Sequence, residues 1–180
     1  SDQNRMRNRR RSGRYNAAQD SFAILKQLAG QRAAFVEMPV ALVTHNRRNS
    51  VLVTVWKKGV RNLSDFLKDK SVGDRLKDRA CLSAAERIAR LHGTGFLHGH
   101  LNPDNLVVDK DGNSYLIDYT LLREPEKNAR QLKQMEMQTA AEAIAAARYP
   151  STMPLHWEAR DELVVLMRRK YRQRSERRKG

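Results

Sequence analysis

The chain has 180 residues and a formal net charge of +15, from 35 Lys and Arg against 20 Asp and Glu. That length suits one domain with a core of its own, so no disulfide or metal staple is required, and the single cysteine, Cys81, excludes an internal disulfide. No apolar run approaches the roughly 20 residues of a membrane span, the start carries no apolar signal core, and the composition predicts a reducing, cytoplasmic setting.

Residues 1–16 hold Arg5, Arg7, Arg9, Arg10, Arg11 and Arg14 with only Met6 and Tyr15 as large apolar groups. They bury too little to order themselves, which predicts a disordered basic arm. Phe22, Leu25 and Leu28 recur at helical spacing, so a helix is expected from Ala17 to about Leu28, stopped by Gly30. "MPVALVTH" and "NSVLVTVW" are β-rich runs on either side of "NRRN", the pattern of a hairpin. Gly59 breaks the pattern after Trp56, a residue placed to stack a base or, more simply, to pack at a boundary. "NLSDFLKD" reads as a short helix with Asn62 as its N-cap.

From Asp74 to His92, Leu76, Ala80, Leu82, Ala84, Ile88 and Leu91 sketch an amphipathic helix ended by Gly93 and Gly95. Cys81 within it reads as an inert core thiol. "LVV" and "SYLI" are short strands, with hairpin-turn residues "DKDGN" between them. A long helix rich in Ala, Gln and Met is expected from about Pro125 to Ala147, then a loop at Pro150 and Pro154, then a last helix from His156 or Trp157. It runs into a basic tail, residues 168–180, where Arg168, Arg169, Lys170, Arg172, Arg174, Arg177, Arg178 and Lys179 are opposed only by Glu176. The order of elements argues α+β. Basic blocks at both ends attract polyanions, whether RNA, DNA or an anionic lipid surface. The alternatives are contact with a protein partner or plain solvation.

The chemistry concentrates in "FLHGHLNPDNLVVDKDGNSYLIDYT", from Phe96 to Thr120. Asp104, Asn105 and Asp118 are hard oxygen donors of the kind that hold Mg²⁺ beside phosphates. Asn105 opens the first short strand and Asp118 closes the second, so a tight hairpin sets an amide oxygen and a carboxylate side by side. His98 and His100 form an H-x-H pair, a weak signal for zinc. "DKDGN" has its Gly too early for a Ca²⁺ loop and no bidentate Glu after it, so it reads as a turn.

"HGHLNPDNLVV…LIDYT" resembles the catalytic loop and metal-binding Asp of the protein-kinase-like superfamily, usually H-R-D-L-K-P-E-N and D-F-G. The H-G-x opening is nearer to the small atypical kinases: the RIO type, the kinase of the tRNA threonylcarbamoyl-adenosine complex, the aminoglycoside phosphotransferases and the lipopolysaccharide core kinases. "AAERIARLHGTGFLHG", "SVLVTVWKKGVRNLSDFL" and "SFAILKQL" resemble the helix before the catalytic loop, the hinge region and the small-lobe helix. The resemblance covers roughly residues 20 to 120. It implies a kinase-like α+β fold with a reduced N-terminal lobe over residues 17–58 and a mainly helical C-terminal lobe over 59–167. It implies ATP and Mg²⁺, with Asn105 and Asp118 holding metal, the backbone from Val55 to Lys57 meeting adenine, His100 at the general-base position and His98 packed beneath the loop.

The departures from the pattern are as specific. His100 stands where active kinases have Asp, and Asn102 where they have Lys. Asp20 and Ser21 lie near the place of the small-lobe Glu. No strand with a nucleotide-gripping Lys and no Gly-rich loop precedes that helix here, and Lys26 lies on a face expected to be solvated. Lys and metal contacts supply most of the electrostatic stabilisation of phosphoryl transfer, whereas a general base adds about 10²–10⁴-fold. The expectation is therefore a pseudokinase or weak ATP-dependent phosphotransferase. An active small kinase and a basic RNA-associated module on the same fold stand as alternatives.

Overall fold

The computed structural model describes residues 17–30, 39–44, 50–55, 57–125, 128–150 and 153–177. The elements are α1 (Ala17–Gly30), β1 (Pro39–Thr44), β2 (Ser50–Thr54), β3 (Arg61–Asn62), α2 (Leu63–Lys68), α3 (Asp74–Gly93), β4 (Leu106–Val108), β5 (Ser114–Leu116), α4 (Ala129–Arg148) and α5 (Met153–Arg177), with 3₁₀ turns at Pro103–Asn105 and Tyr119–Leu121. The expected arm over 1–16, Trp56, the "NRRN" turn and the last residues of the tail lie outside the described residues.

β1 and β2 form the expected antiparallel hairpin, with Leu42 opposite Leu52. Period-2 alternation sends Leu52 toward the core and leaves Val43 and Val51 exposed. α1 packs on this hairpin, and its Ile24, Leu25 and Leu28 are all buried. β3, β4 and β5 make a second, three-stranded antiparallel sheet. The chain enters α2 through Asn62, whose side chain accepts from the Ser64 amide at 2.8 Å, the expected N-cap.

The core is the junction of α3, α4 and α5. Ala80, Ala84, Ile88 and Leu91 of α3 meet Met137, Ala140 and Ile144 of α4 and Leu163 and Met167 of α5. Each Leu or Ile so buried contributes about 1.5–3 kcal/mol. The small alanines set the three helices close together. Leu82 departs from the expected stripe and is 54% exposed, because two positions beyond Ala80 is roughly 200° around the helix. Met137 is core, whereas Met135 is exposed.

Two helix starts differ from expectation. α4 begins at Ala129, after Asn128 with φ of 52°, a left-handed residue that stops the helix extending back toward Pro125. α5 begins at Met153, so Pro154 sits in its first turn rather than in a loop. A first-turn amide has no intrahelical acceptor, so proline loses nothing there. α5 continues to Arg177 and carries most of the basic tail as helix.

Candidate active site

The β4–β5 hairpin sets the base of the site. Leu106 pairs with Leu116, and the Ile117 amide donates to the Asn105 carbonyl at 3.0 Å, so the residues at the two strand ends meet. Asn105 lies in the 3₁₀ turn just ahead of β4, and Asp118 lies two residues past the end of β5. "DKDGN" is a turn: Asp109 Oδ1 accepts from the amides of Asp111 and Asn113 at 3.0 and 2.9 Å. Asn102, at the position of the usual Lys, serves structure. Its side chain accepts from the amides of Asp104 at 2.8 Å and Asn105 at 3.0 Å and caps the turn. Asn62 reaches the same turn, donating from Nδ2 to the Asp104 carbonyl at 2.8 Å. Asn105 itself donates from Nδ2 to the His100 carbonyl at 2.8 Å. That commits its amide nitrogen to the loop, so only the side-chain oxygen could meet a cation.

His98 is fully buried, with Nε2 donating to the Ile117 carbonyl at 2.9 Å and its ring against Tyr119 at 5.1 Å. Burial pushes its pKa down, so it is a neutral packing group. His100 is exposed. The two histidines thus face different surroundings, and among the described residues no group of three or more His, Cys, Asp or Glu is arranged to hold a metal.

The loop is pinned by a residue that sequence reasoning passed over. Glu136 of α4 accepts from His92 Nε2 at 2.6 Å, from the His98 amide at 3.1 Å and from the Gly99 amide at 2.6 Å. Burial pushes its carboxyl up, but the hydrogen bond from His92 and the Gly99 and His98 amides outweigh it and hold the pKa below the usual value. The signal was in the spacing: Glu136 falls on the stripe of Lys133, Met137 and Ala140, an acid on a buried face. Gly99 is required for two reasons: its φ is +86°, and a Cβ there would run into the Leu121 carbonyl and come within 2.8 Å of Leu121 Cβ.

Asp118 is the backbone outlier of the site, a non-glycine residue with φ of 57°. Such a conformation costs of order 1 kcal/mol and concentrates at functional sites. The segments around it are fastened on both sides. The Leu97 and Arg123 amides and carbonyls exchange hydrogen bonds at 2.8 and 3.0 Å. Ser21 of α1, fully buried, donates from Oγ to the Tyr119 carbonyl at 2.5 Å. Ser21 thus ties α1 to the residue after Asp118.

Val55 and Lys57 lie on the connection that leaves β2. Val55 is 54% exposed. The Lys57 side chain turns to the β4–β5 hairpin, 3.3 Å from Asp109 Oδ2 and 3.5 Å from the Tyr115 ring centre. Tyr115 also donates to Asp109 at 3.0 Å. Burial pushes the Asp109 carboxyl up; Asn113, Tyr115 and Lys57 together outweigh that and bring it to about 2. The structure therefore brings Asn105, Asp118 and His100 into one loop system and sets Val55 and Lys57 on a connection clasped to the same hairpin. Lys26 stacks on Phe22 at 5.6 Å within α1.

An α+β chain with a two-stranded hairpin and one helix ahead of a helical body, and a loop-and-hairpin site at their junction, defines a protein-kinase-like fold with a reduced N-terminal lobe. The profile of the lipopolysaccharide kinase (Kdo/WaaP) family matches residues 8–150, and the chain belongs to that family. It is 29% identical over 54% of its length to a probable bifunctional tRNA threonylcarbamoyladenosine biosynthesis protein of Methanoculleus marisnigri, covering 21% of that protein. It is 28% identical over 76% of its length to a probable casein kinase I homologue of Encephalitozoon cuniculi, covering 45% of that protein. It is 31% identical over 41% of its length to a KEOPS complex subunit of Pyrococcus abyssi, covering 32% of that protein. The chain thus spans less than half the length of each of these relatives.

Proposed function

We propose that the chain is a degenerate kinase-like protein that positions Mg·ATP through Asn105 and Asp118 and supports weak phosphoryl transfer at most. One observation supports this: Asp118 takes a costly left-handed conformation one residue beyond Ile117, whose amide donates to the carbonyl of Asn105, and the Asn105 amide nitrogen is already bound to the His100 carbonyl. An amide oxygen and a carboxylate suit a hard divalent cation shared with phosphates, which supplies the charge neutralisation of phosphoryl transfer. The chain's own residues hold and orient. Asn105 and Asp118 fix the metal side, the connection at Val55 to Lys57 offers backbone groups to the adenine, and Glu136 keeps the loop in register. His100 presents an imidazole to the acceptor hydroxyl and can take its proton, but it brings no negative charge to orient that hydroxyl.

The test is calorimetric titration with ATP, with and without Mg²⁺. Mg²⁺-dependent binding that is lost in Asp118→Ala and Asn105→Ala is the expected result. Binding that ignores both substitutions overturns the assignment. A second reading concerns the ends of the chain: the net charge of +15 favours a polyanionic partner. We place the protein in the cytoplasm, where ATP is supplied; no described helix is long and apolar enough to cross a membrane.

A further inference from the structure

α5 changes charge along its length. Its first half exposes Glu158, Asp161 and Glu162, while from Arg168 onward it carries Arg168, Arg169, Lys170, Arg172, Arg174 and Arg177 against Glu176. Leu163, Val164 and Met167 face the core.

Contacts between helices fix where the basic half lies. Arg160 reaches Glu142 of α4 at 3.6 Å, and Lys133 of α4 lies over the Tyr171 ring at 5.6 Å, so α5 runs antiparallel to α4. α4 in turn runs antiparallel to α3, because Arg148 meets Asp74 at 2.9 Å and Glu136 meets His92 at 2.6 Å. α3 and α5 are therefore parallel, with Lys170 beside Glu86 at 2.7 Å. From that pair, Lys170 to Arg177 and Glu86 to Gly93 advance together by about 10 Å. The last basic turns of α5 thus come level with the end of α3, where the chain turns into the Gly95–His100 loop. Arg90 of α3 and the exposed Arg130 of α4 lie at the same end.

We infer that this ridge, the basic half of α5 with Arg90 and Arg130, docks the phosphate backbone of a nucleic acid and leads it to the loop that carries His100. Arg169 and Arg172 are exposed about 60° apart around the helix and offer guanidinium groups that pair with the phosphates of a polymer. A lipid surface fits worse. An interfacial helix must bury an apolar face among acyl chains, and α5 already spends that face on α3 and α4. Among the described residues, no large exposed hydrophobic lies between Arg168 and Gln173. The inference rests on the reading that the basic ends meet a polyanion; it does not depend on ATP binding.

The experiment follows a labelled RNA stem-loop by fluorescence anisotropy across a salt series, with the full chain. Binding that weakens linearly in log salt is expected. Arg169→Gln with Arg172→Gln reduces the slope by about 2 and weakens binding roughly tenfold. Arg75→Gln with Arg79→Gln, at the far end of α3, leaves both unchanged. Anionic vesicles do not displace the RNA. The inference fails if the α5 double variant keeps the wild-type slope and affinity. It also fails if removing residues 1–16 alone abolishes binding, a result that keeps a polyanion partner but moves it to the arm. Displacement by phosphatidylserine vesicles assigns the ridge to lipid and overturns it. Loss of RNA binding and loss of Mg·ATP binding are read in separate titrations, so either reading can fail alone.

Discussion

Glu136 offers the sharpest test of how the candidate loop is held. Glu136→Ala removes the acceptor of three hydrogen bonds, from His92 Nε2 at 2.6 Å, the His98 amide at 3.1 Å and the Gly99 amide at 2.6 Å. A buried donor left without a partner costs about 1–3 kcal/mol. Three donors sharing one site do not add fully, so a loss of about 3–6 kcal/mol is expected, a large part of the roughly 5–15 kcal/mol that stabilises a domain. For a chain of this size that lowers the melting temperature by roughly 10–20 °C. Glu136→Gln keeps the shape and one acceptor oxygen, and its loss is smaller. The carboxyl's pKa is lowered in the fold, so its contribution is complete above the ordinary carboxylate range and is lost as pH falls through the lowered value. The gap between wild type and Glu136→Gln in urea denaturation should therefore narrow in acid. A loss under about 1 kcal/mol for Glu136→Ala, or a gap that widens as pH falls, refutes the account.

Asp118→Gly should relieve the left-handed strain and raise stability by about 1 kcal/mol while abolishing Mg²⁺-dependent ATP binding; paired melting and calorimetry check both. No gain in stability would mean that the φ of 57° costs nothing here. Gly99→Ala should cost about 3 kcal/mol or more, since it meets both a positive φ and the Leu121 backbone. A chemical-denaturation midpoint within error of wild type would show that the loop can move aside.

Much of the fold could be read from spacing. The β1–β2 hairpin, the Asn62 cap, the long helix over Asp74–Gly93 and the β4–β5 hairpin all follow from local periodicity and turn chemistry, which act over a few residues. That the hairpin ends next to Asn105 and Asp118 come together is legible because the turn joins them directly in the chain. The contacts of Glu136 and Ser21 are not legible there, because their partners lie 37–44 and 98 residues away. No local pattern encodes a contact made only when α1 and α4 dock. The start of α5 was misplaced for a different reason: Pro154 reads equally well as a loop marker and as a first-turn residue, and only the position of Met153 decides between them.

The 2.5 Å link from Ser21 to the Tyr119 carbonyl has a mechanical meaning. α1 is a rod of 14 residues whose apolar side rests on the β1–β2 hairpin. A sideways push of an ångström on that rod either breaks this bond or drags Tyr119, and with it the twisted backbone of its neighbour Asp118. Whatever leans on α1 from outside therefore has its hand on the carboxylate.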